Sequence, residues 1–332
     1  MKTILFRFDF GSKIGYGHFK RCSVLAKKFK QKGYRCILLG DIKGNIKKKE
    51  KFLFYKVINL NRIKLFNKTD EIIKVYNRFD CDYLILDLIK FNILNQTKLK
   101  KSGVKWLQFI GNINIKCIAN QFICSIPFSN KDFKKIKINK DQKTFIGKNY
   151  SILRQQFLKN KKKPPVKKIF VCMGGGDDRG SIIFVLKSII VNIKDYKINL
   201  LIGESPHYKK IKEWIEKNNL KKIIKILKNK EYIVEYIDES KFAICSGGTI
   251  THEIDARGKK MMIISIVKNQ EFQAKKWVNF NNYYLGSFSK DKIKMKYKLN
   301  KFLDIIKKIK KIKFKKRDNK FLDKIIYNAI TN

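Results

Sequence analysis

"TILFRFDFGSKIGYGHFKRCSVLAKKFKQKGYRCILLG", residues 3–40, carries the pattern on which the fold turns. It opens with an apolar run of strand length, "TILFRFD". Past Gly17 the period changes: Cys22, Leu25, Ala26 and Phe29 fall on one stripe of a helix, and Gly33 supplies its stop. "RCILLG" then returns to an apolar strand. A strand, a helix and a strand in this order predict a parallel pair joined by a right-handed crossover. Gly15, Gly17 and His18 stand where the first strand hands over to the helix. Glycines permit a sharp turn and let the backbone approach a ligand. The positive end of a helix disfavours an imidazolium, so a histidine there tends to stay uncharged and able to take a proton, as a general base must. A helix-capping histidine beside two turn glycines fits the local sequence equally well.

The same theme repeats along the chain. "YLILD" (83–87), "VKWLQF" (104–109) and "QFICSI" (121–126) are further apolar runs separated by helix-length polar stretches. At "KNKKKPP" the texture changes, because Pro164 and Pro165 cannot continue a helix and the lysines need solvent. A second series follows in "KKIFVCMGGGDD", "INLLIG" (198–203), "IIKIL" (223–227), "FAICSGG" (242–248) and "MMIISI" (261–266). The expectation is an α/β protein of two Rossmann-type domains facing a cleft: residues 1–158, a linker at 159–165, and residues 166–332. In open α/β sheets the ligand sits at the carboxyl ends of the strands, where these glycines fall.

Composition narrows the function classes. Hydrophobic residues make up 44% of the 332, enough for two folded cores. No apolar run approaches the roughly 18 residues of a membrane span. Arg7 and Asp9 interrupt the first apolar stretch, which argues against a secretory signal and for the cytoplasm. Seven cysteines without a CxxC pair indicate neither a zinc site nor a disulfide framework. The net charge of +50 raises nucleic-acid binding, yet only nine of the 77 basic residues are arginine, and the 68 lysines run the whole length of the chain. A lysine-covered surface is the expectation, without nucleic acid as a partner. "KKIKKIKFKKR", from 307, alternates apolar and basic residues, which suits peripheral contact with an acidic membrane as well as a solvated helix face.

Three further turns offer sites. "GGGDD" (174–178) follows a strand and precedes a helix, presenting backbone amides to an anion; it lacks a P-loop lysine and GxGxxG spacing. "SGGTITHE" (246–253) is a second such turn, with Glu253 placed either to accept from ribose hydroxyls or simply to favour the helix dipole. In "KNQEFQA" (268–274), Asn269 and Gln270 either cap a helix or contact a ligand.

Taken together, these segments resemble a known family. "RFDFGSKIGYGHFKRCSVLA" is similar to the R-x-D-x-S-x-x-I-G-x-G-H-x-x-R-C-x-x-L-A opening of the UDP-2,4-diacetamido-2,4,6-trideoxy-β-L-altropyranose hydrolases of pseudaminic acid biosynthesis. "GKNYSILRQQF" (147–157) resembles that family's G-x-x-Y-x-x-L-R-x-x-F, "MGGGD" its M-G-G-x-D, and "SGGTITHE" with "NQ" its nucleotide site. The glycine–glutamate signature is shared with UDP-sugar glycosyltransferases. The resemblance implies a GT-B fold, with UDP held mainly by the second half and the sugar in the cleft. It implies that His18, with Asp87, activates water for attack on the anomeric carbon, without metal or cofactor. Asp9, Gly15, Gly17, Arg21, Gly175, Asp177, Ser246, Gly247, Gly248, Thr249, Glu253, Asn269 and Gln270 are the implied substrate-binding residues. The alternatives are a glycosyltransferase with a UDP-sugar donor and a catalytically impaired sugar-nucleotide-binding homologue. A monomer is expected. Departures from the family pattern are Gly11 for serine, Leu88 and Ile89 for a polar residue and tyrosine after Asp87, Ile110 and Gly111 for an acidic pair, and His252 for an aromatic residue.

Overall fold

The computed structural model describes residues 1–12, 14–44, 46–60, 68–111, 116–133, 142–160, 166–193, 195–308 and 317–331. They form two compact units, one of Met1–Arg154 with Asn319–Asn332 and one of Gln155–Asp318.

The first unit begins with β1 (Thr3–Phe8), β2 (Phe10–Gly11), α1 (Gly17–Gln31), β3 (Arg35–Gly40), β4 (Ile42–Lys43), α2 (Lys48–Lys51) and β5 (Lys56–Asn59). It continues with α3 (Lys68–Arg78), β6 (Tyr83–Asp87), α4 (Ile93–Lys101), β7 (Trp106–Phe109), β8 (Gln121–Cys124), α5 (Asn130–Phe133) and β9 (Lys143–Ile146). Among the described residues seven strands make one sheet in the order β5-β3-β1-β6-β7-β8-β9, and every pairing is parallel. β1 lies inside the sheet between β3 and β6, and all six of its residues are buried. Such a strand has to read as a continuous apolar run, because helices cover both faces of a parallel sheet. The α1 stripe read from the sequence is the buried one: Phe19, Cys22, Leu25, Ala26 and Phe29 pack into the core with Phe6 and Phe8.

The second unit repeats the plan with β10 (Lys168–Cys172), α6 (Ser181–Ile189), β11 (Lys197–Ile202), α7 (Tyr208–Lys217), β12 (Ile224–Lys228) and α8 (Val234–Asp238). β13 (Phe242–Ser246), α9 (Ile250–Ala256), β14 (Lys260–Ser265), α10 (Lys268–Lys276), β15 (Tyr283–Ser287) and α11 (Lys292–Lys308) complete it. Its strands are also all parallel, in the order β12-β11-β10-β13-β14-β15. In both sheets the first strand of the unit lies between strands reached in opposite directions. This is the switch point at which open α/β sheets leave a crevice at the strand ends.

The division differs from the expected 1–158, 159–165 and 166–332. Residues 161–165 of the expected linker lie outside the described residues. Gln155–Leu158 belongs to the second unit, where Gln156 Oε1 accepts from the backbone amides of Ile233 (2.8 Å) and Val234 (3.1 Å). The last helix, α12 (Phe321–Thr331), belongs to the first unit and not to the C-terminal one. Its apolar face explains this: Phe321, Leu322, Ile325 and Ile326 join the core around Phe6 and Phe29. Polar contacts fix its register, since Gln121 Nε2 donates to Ile325 O (3.4 Å) and Asn319 exchanges hydrogen bonds with the backbone of Leu153.

Candidate active site and glycine turns

The histidine turn is built by close packing at the ends of β1 and β3. Gly11 and Gly15 bridge across the loop, with Gly15 N donating to Gly11 O at 2.6 Å. Gly11 also pairs with Lys43, and a Cβ there would fall 2.8 Å from the Lys43 carbonyl oxygen. The glycine that departs from the family's serine is thus demanded by this chain's own β2–β4 pairing. α1 then starts at Gly17, with Tyr16 at its N-cap and no side chain capping it. The capping reading of His18 is thereby excluded.

The His18 side chain turns to the end of β6. Its Nδ1 lies 2.8 Å from Asp87 Oδ1. Phe8 of β1 registers beside Asp87, which brings the two sequence-distant groups together. Asp87 is only 1% exposed, and its two oxygens also receive a fork from Arg21: Nη2 to Oδ1 and Nε to Oδ2, both at 2.6 Å. Arg21 Nη2 is 3.1 Å from His18 Nδ1, and the Cys22 thiol donates weakly to Oδ2 at 3.5 Å. The guanidinium sits over the ring of Phe109, 5.1 Å from its centre, a cation–π arrangement. Burial alone would raise the Asp87 carboxyl, but the charge of Arg21 and then the contact with His18 outweigh it and hold the group well below the usual carboxylate range. An ionised carboxylate only accepts, so with the Nδ1 proton directed at Asp87 the Nε2 of an uncharged imidazole is the ring's acceptor.

Of the other predicted residues in the first unit, Asp9 is engaged internally: Oδ1 receives Arg7 Nη1 at 2.5 Å and the amide of Asp41 at 2.6 Å. Arg21 is drawn inward onto Asp87, a role that sequence reasoning missed. The signal was present, since His18, Arg21 and Cys22 stand at i, i+3 and i+4, which is one helix face. The apolar departures Leu88 and Ile89 directly follow Asp87, with Ile89 half exposed.

In the second unit the turns after β10 and β13 meet at the switch point. Ser246 Oγ lies 3.6 Å from where a Cβ on Gly174 would be. The turn carrying Gly175 is pressed against the end of β11, where a Cβ on Gly203 would fall 2.3 Å from the Gly175 carbonyl oxygen. Asp178 is buried and holds the start of α6, accepting from the amide of Ile182 (3.1 Å) and from Ser205 Oγ (2.5 Å). Asp177 is exposed and accepts from the amide of Arg179. Asp177, Asp178 and His207 bring possible ligand atoms within 4.8 Å of one another, a grouping the sequence did not announce. Asp178 has both oxygens engaged by the protein.

Ser246, Gly247, Gly248 and Thr249 form the turn into α9, whose first turn carries the buried Glu253. Gln270 does not cap α10: its Oε1 accepts from the amide of Ile266 at 3.0 Å, and the exposed Asn269 is left beside it. Gln273, which the sequence reading passed over, clamps the turn, its Nε2 donating to the carbonyls of Gly247 and Gly248 (3.2 Å each) and lying 3.1 Å from Thr251 Oγ1. His252 is 2% exposed with its ring 5.3 Å from that of Trp277, a packing role.

Known proteins share this architecture. The chain is 26% identical over 290 residues to the UDP-2,4-diacetamido-2,4,6-trideoxy-β-L-altropyranose hydrolase of Campylobacter jejuni, covering 82% of this chain and 94% of that protein. No protein-family model matches the chain. Among solved structures it resembles S. aureus MnaA with UDP (TM-score 0.66, 11% identity, 100% of this chain and 98% of that one). It also resembles MurG of Acinetobacter baumannii (TM-score 0.62, 12% identity, 99% and 94%). The UDP-GlcNAc 2-epimerase of Methanocaldococcus jannaschii is a third, at TM-score 0.61 and 14% identity over 98% and 99%. The fold is therefore of the GT-B type, α/β with two Rossmann-like units.

Proposed function

We propose that the protein hydrolyses a UDP-linked diacetamido-trideoxy sugar to UDP and the free sugar, as a step of pseudaminic or related nonulosonic acid synthesis. The observation that carries this reading is the buried Asp87 carboxylate 2.8 Å from His18 Nδ1, at the strand ends of the first unit. With the Nδ1 proton directed at Asp87, Nε2 takes a proton from water as the water oxygen bonds to C1 of the sugar. The C1–O bond to the β-phosphate breaks and its electron pair leaves with UDP. The glycine turns at Gly175 and at Ser246–Thr249 supply amides for the diphosphate, Glu253 accepts from the ribose, and Asn269 and Gln270 lie near it. The resemblance of the opening motif and the likeness to the Campylobacter hydrolase support the substrate class.

No helix among the described residues is long and apolar enough to cross a membrane. Most of the basic run from 307 lies outside the described residues, so membrane contact through it remains part of this reading. All seven cysteines are free and buried, as suits a reducing cytoplasm, where we place the enzyme. The test is to incubate the purified chain with UDP-2,4-diacetamido-2,4,6-trideoxy-β-L-altropyranose and follow UDP release. Wild type should release UDP without an acceptor, and His18→Gln should lose the activity by at least about 100-fold. Turnover that requires a hydroxyl acceptor would make it a transferase, and equal rates for His18→Gln would remove the base.

A further inference from the structure

We infer that Arg21 is a positioning residue whose guanidinium satisfies the charge of Asp87 and so leaves the His18 imidazole uncharged, with Nε2 open to a proton. The inference rests on the hydrolase reading for its chemistry, but its evidence is the arrangement of three side chains. A carboxylate as buried as Asp87 requires a countercharge. Among the described residues two groups in reach can supply one, the guanidinium of Arg21 and a protonated His18. A guanidinium is always charged, and here it occupies both carboxylate oxygens with two 2.6 Å bonds in the planar fork that suits them.

The trio of Asp87, Arg21 and an uncharged His18 is electrically neutral. Protonating the imidazole would set a second cation against Arg21 Nη2, which is 3.1 Å from Nδ1, without a second anion to receive it. Other neighbours do not change this balance. Cys22 keeps its proton, because burial and then the Asp87 charge push its thiol well above the ordinary range. Phe109 of β7, beneath the guanidinium, is apolar. At the end of β1, Arg7 and Asp9 are paired with each other, and on α1 Lys20 is paired with Glu50. Without Arg21, the only cation left among the described residues to meet Asp87 is the imidazolium, and an imidazolium is no base. A substrate ligand would present its guanidinium outward, whereas here Nε and Nη2 both face inward.

Nitrogen-15 NMR of the full chain labelled at histidine tests this directly. His207 and His252 give the other two signals, and His18 is assigned by its loss in His18→Gln. At neutral pH the wild-type His18 should show a protonated Nδ1 and an unprotonated Nε2. Arg21→Gln, which still offers Asp87 an N–H, should convert that signal to the imidazolium pattern, while Arg21→Lys should keep it neutral. With the UDP-sugar, Arg21→Gln should lower kcat by roughly 100-fold with KM changed little, and Arg21→Lys should recover part of that loss. An imidazolium in the wild type, a neutral ring in Arg21→Gln, or a defect confined to KM would each overturn the inference. Failure of the wild type to hydrolyse any UDP-sugar would sink the hydrolase reading alone, because the nitrogen signals decide the claim about Arg21 independently.

Discussion

Asp87 is held by three donors, and each makes a different substitution informative. Asp87→Asn keeps the shape but presents an N–H to the histidine, favouring the tautomer with its proton on Nε2. The expected result is a kcat lower by about 10³–10⁴-fold with KM nearly unchanged, read from steady-state kinetics. The same carboxylate ties stability to pH. Its folded-state affinity for a proton is below that of the unfolded chain, so its stabilising contribution is complete above the ordinary carboxylate range and is lost as pH falls below about 4. Urea unfolding of wild type and Asp87→Asn should show a gap in stability near neutrality that narrows on acidification. A gap independent of pH would mean that the Arg21 fork does not stabilise the folded chain.

Elements place these residues, and here the sequence was readable in part. β1, α1 and β3 follow from the spacing in residues 3–40, because a central strand buried on both faces has to be apolar throughout. β5 and β9 are edge strands of the first sheet and β15 of the second, and their partly exposed patterns hid them. The contact of His18 with Asp87 depends on β1 pairing with β6, although β2 to β5 intervene in sequence, which no local pattern reveals. Asp87 entered the reading only through the family resemblance. The return of α12 to the first unit was hidden for a similar reason: its apolar face is plain, its partner is not. Ile325→Ala removes a fully buried side chain of that helix and should cost about 2–5 kcal/mol, measured by denaturant unfolding. Within the second unit, Gln273→Ala frees the carbonyls of Gly247 and Gly248. UDP affinity by calorimetry should fall by between about twofold and tenfold, the usual worth of a hydrogen bond, whereas unchanged affinity would separate that turn from the nucleotide.

The whole chain carries a net charge of +50, and each unit has a closely packed core of its own. Burial pushes the thiols of Cys36, Cys81 and Cys124 up to about 12, and those of Cys22 and Cys245 well above the ordinary range. A thiol reagent should therefore titrate almost none of the seven cysteines in the native protein and all of them after denaturation. Both units repeat a parallel sheet with glycine turns at its switch point; in the proposed reaction the first would provide the base and the second the turns for the diphosphate. In the proposed reaction water attacks carbon and not phosphorus. Turnover of the UDP-linked diacetamido-trideoxy sugar in ¹⁸O-enriched water, with both products analysed by mass spectrometry, tests this most directly. The account predicts one heavy oxygen at C1 of the released sugar and none in UDP; label in the UDP phosphate, with an unlabelled sugar, would contradict it.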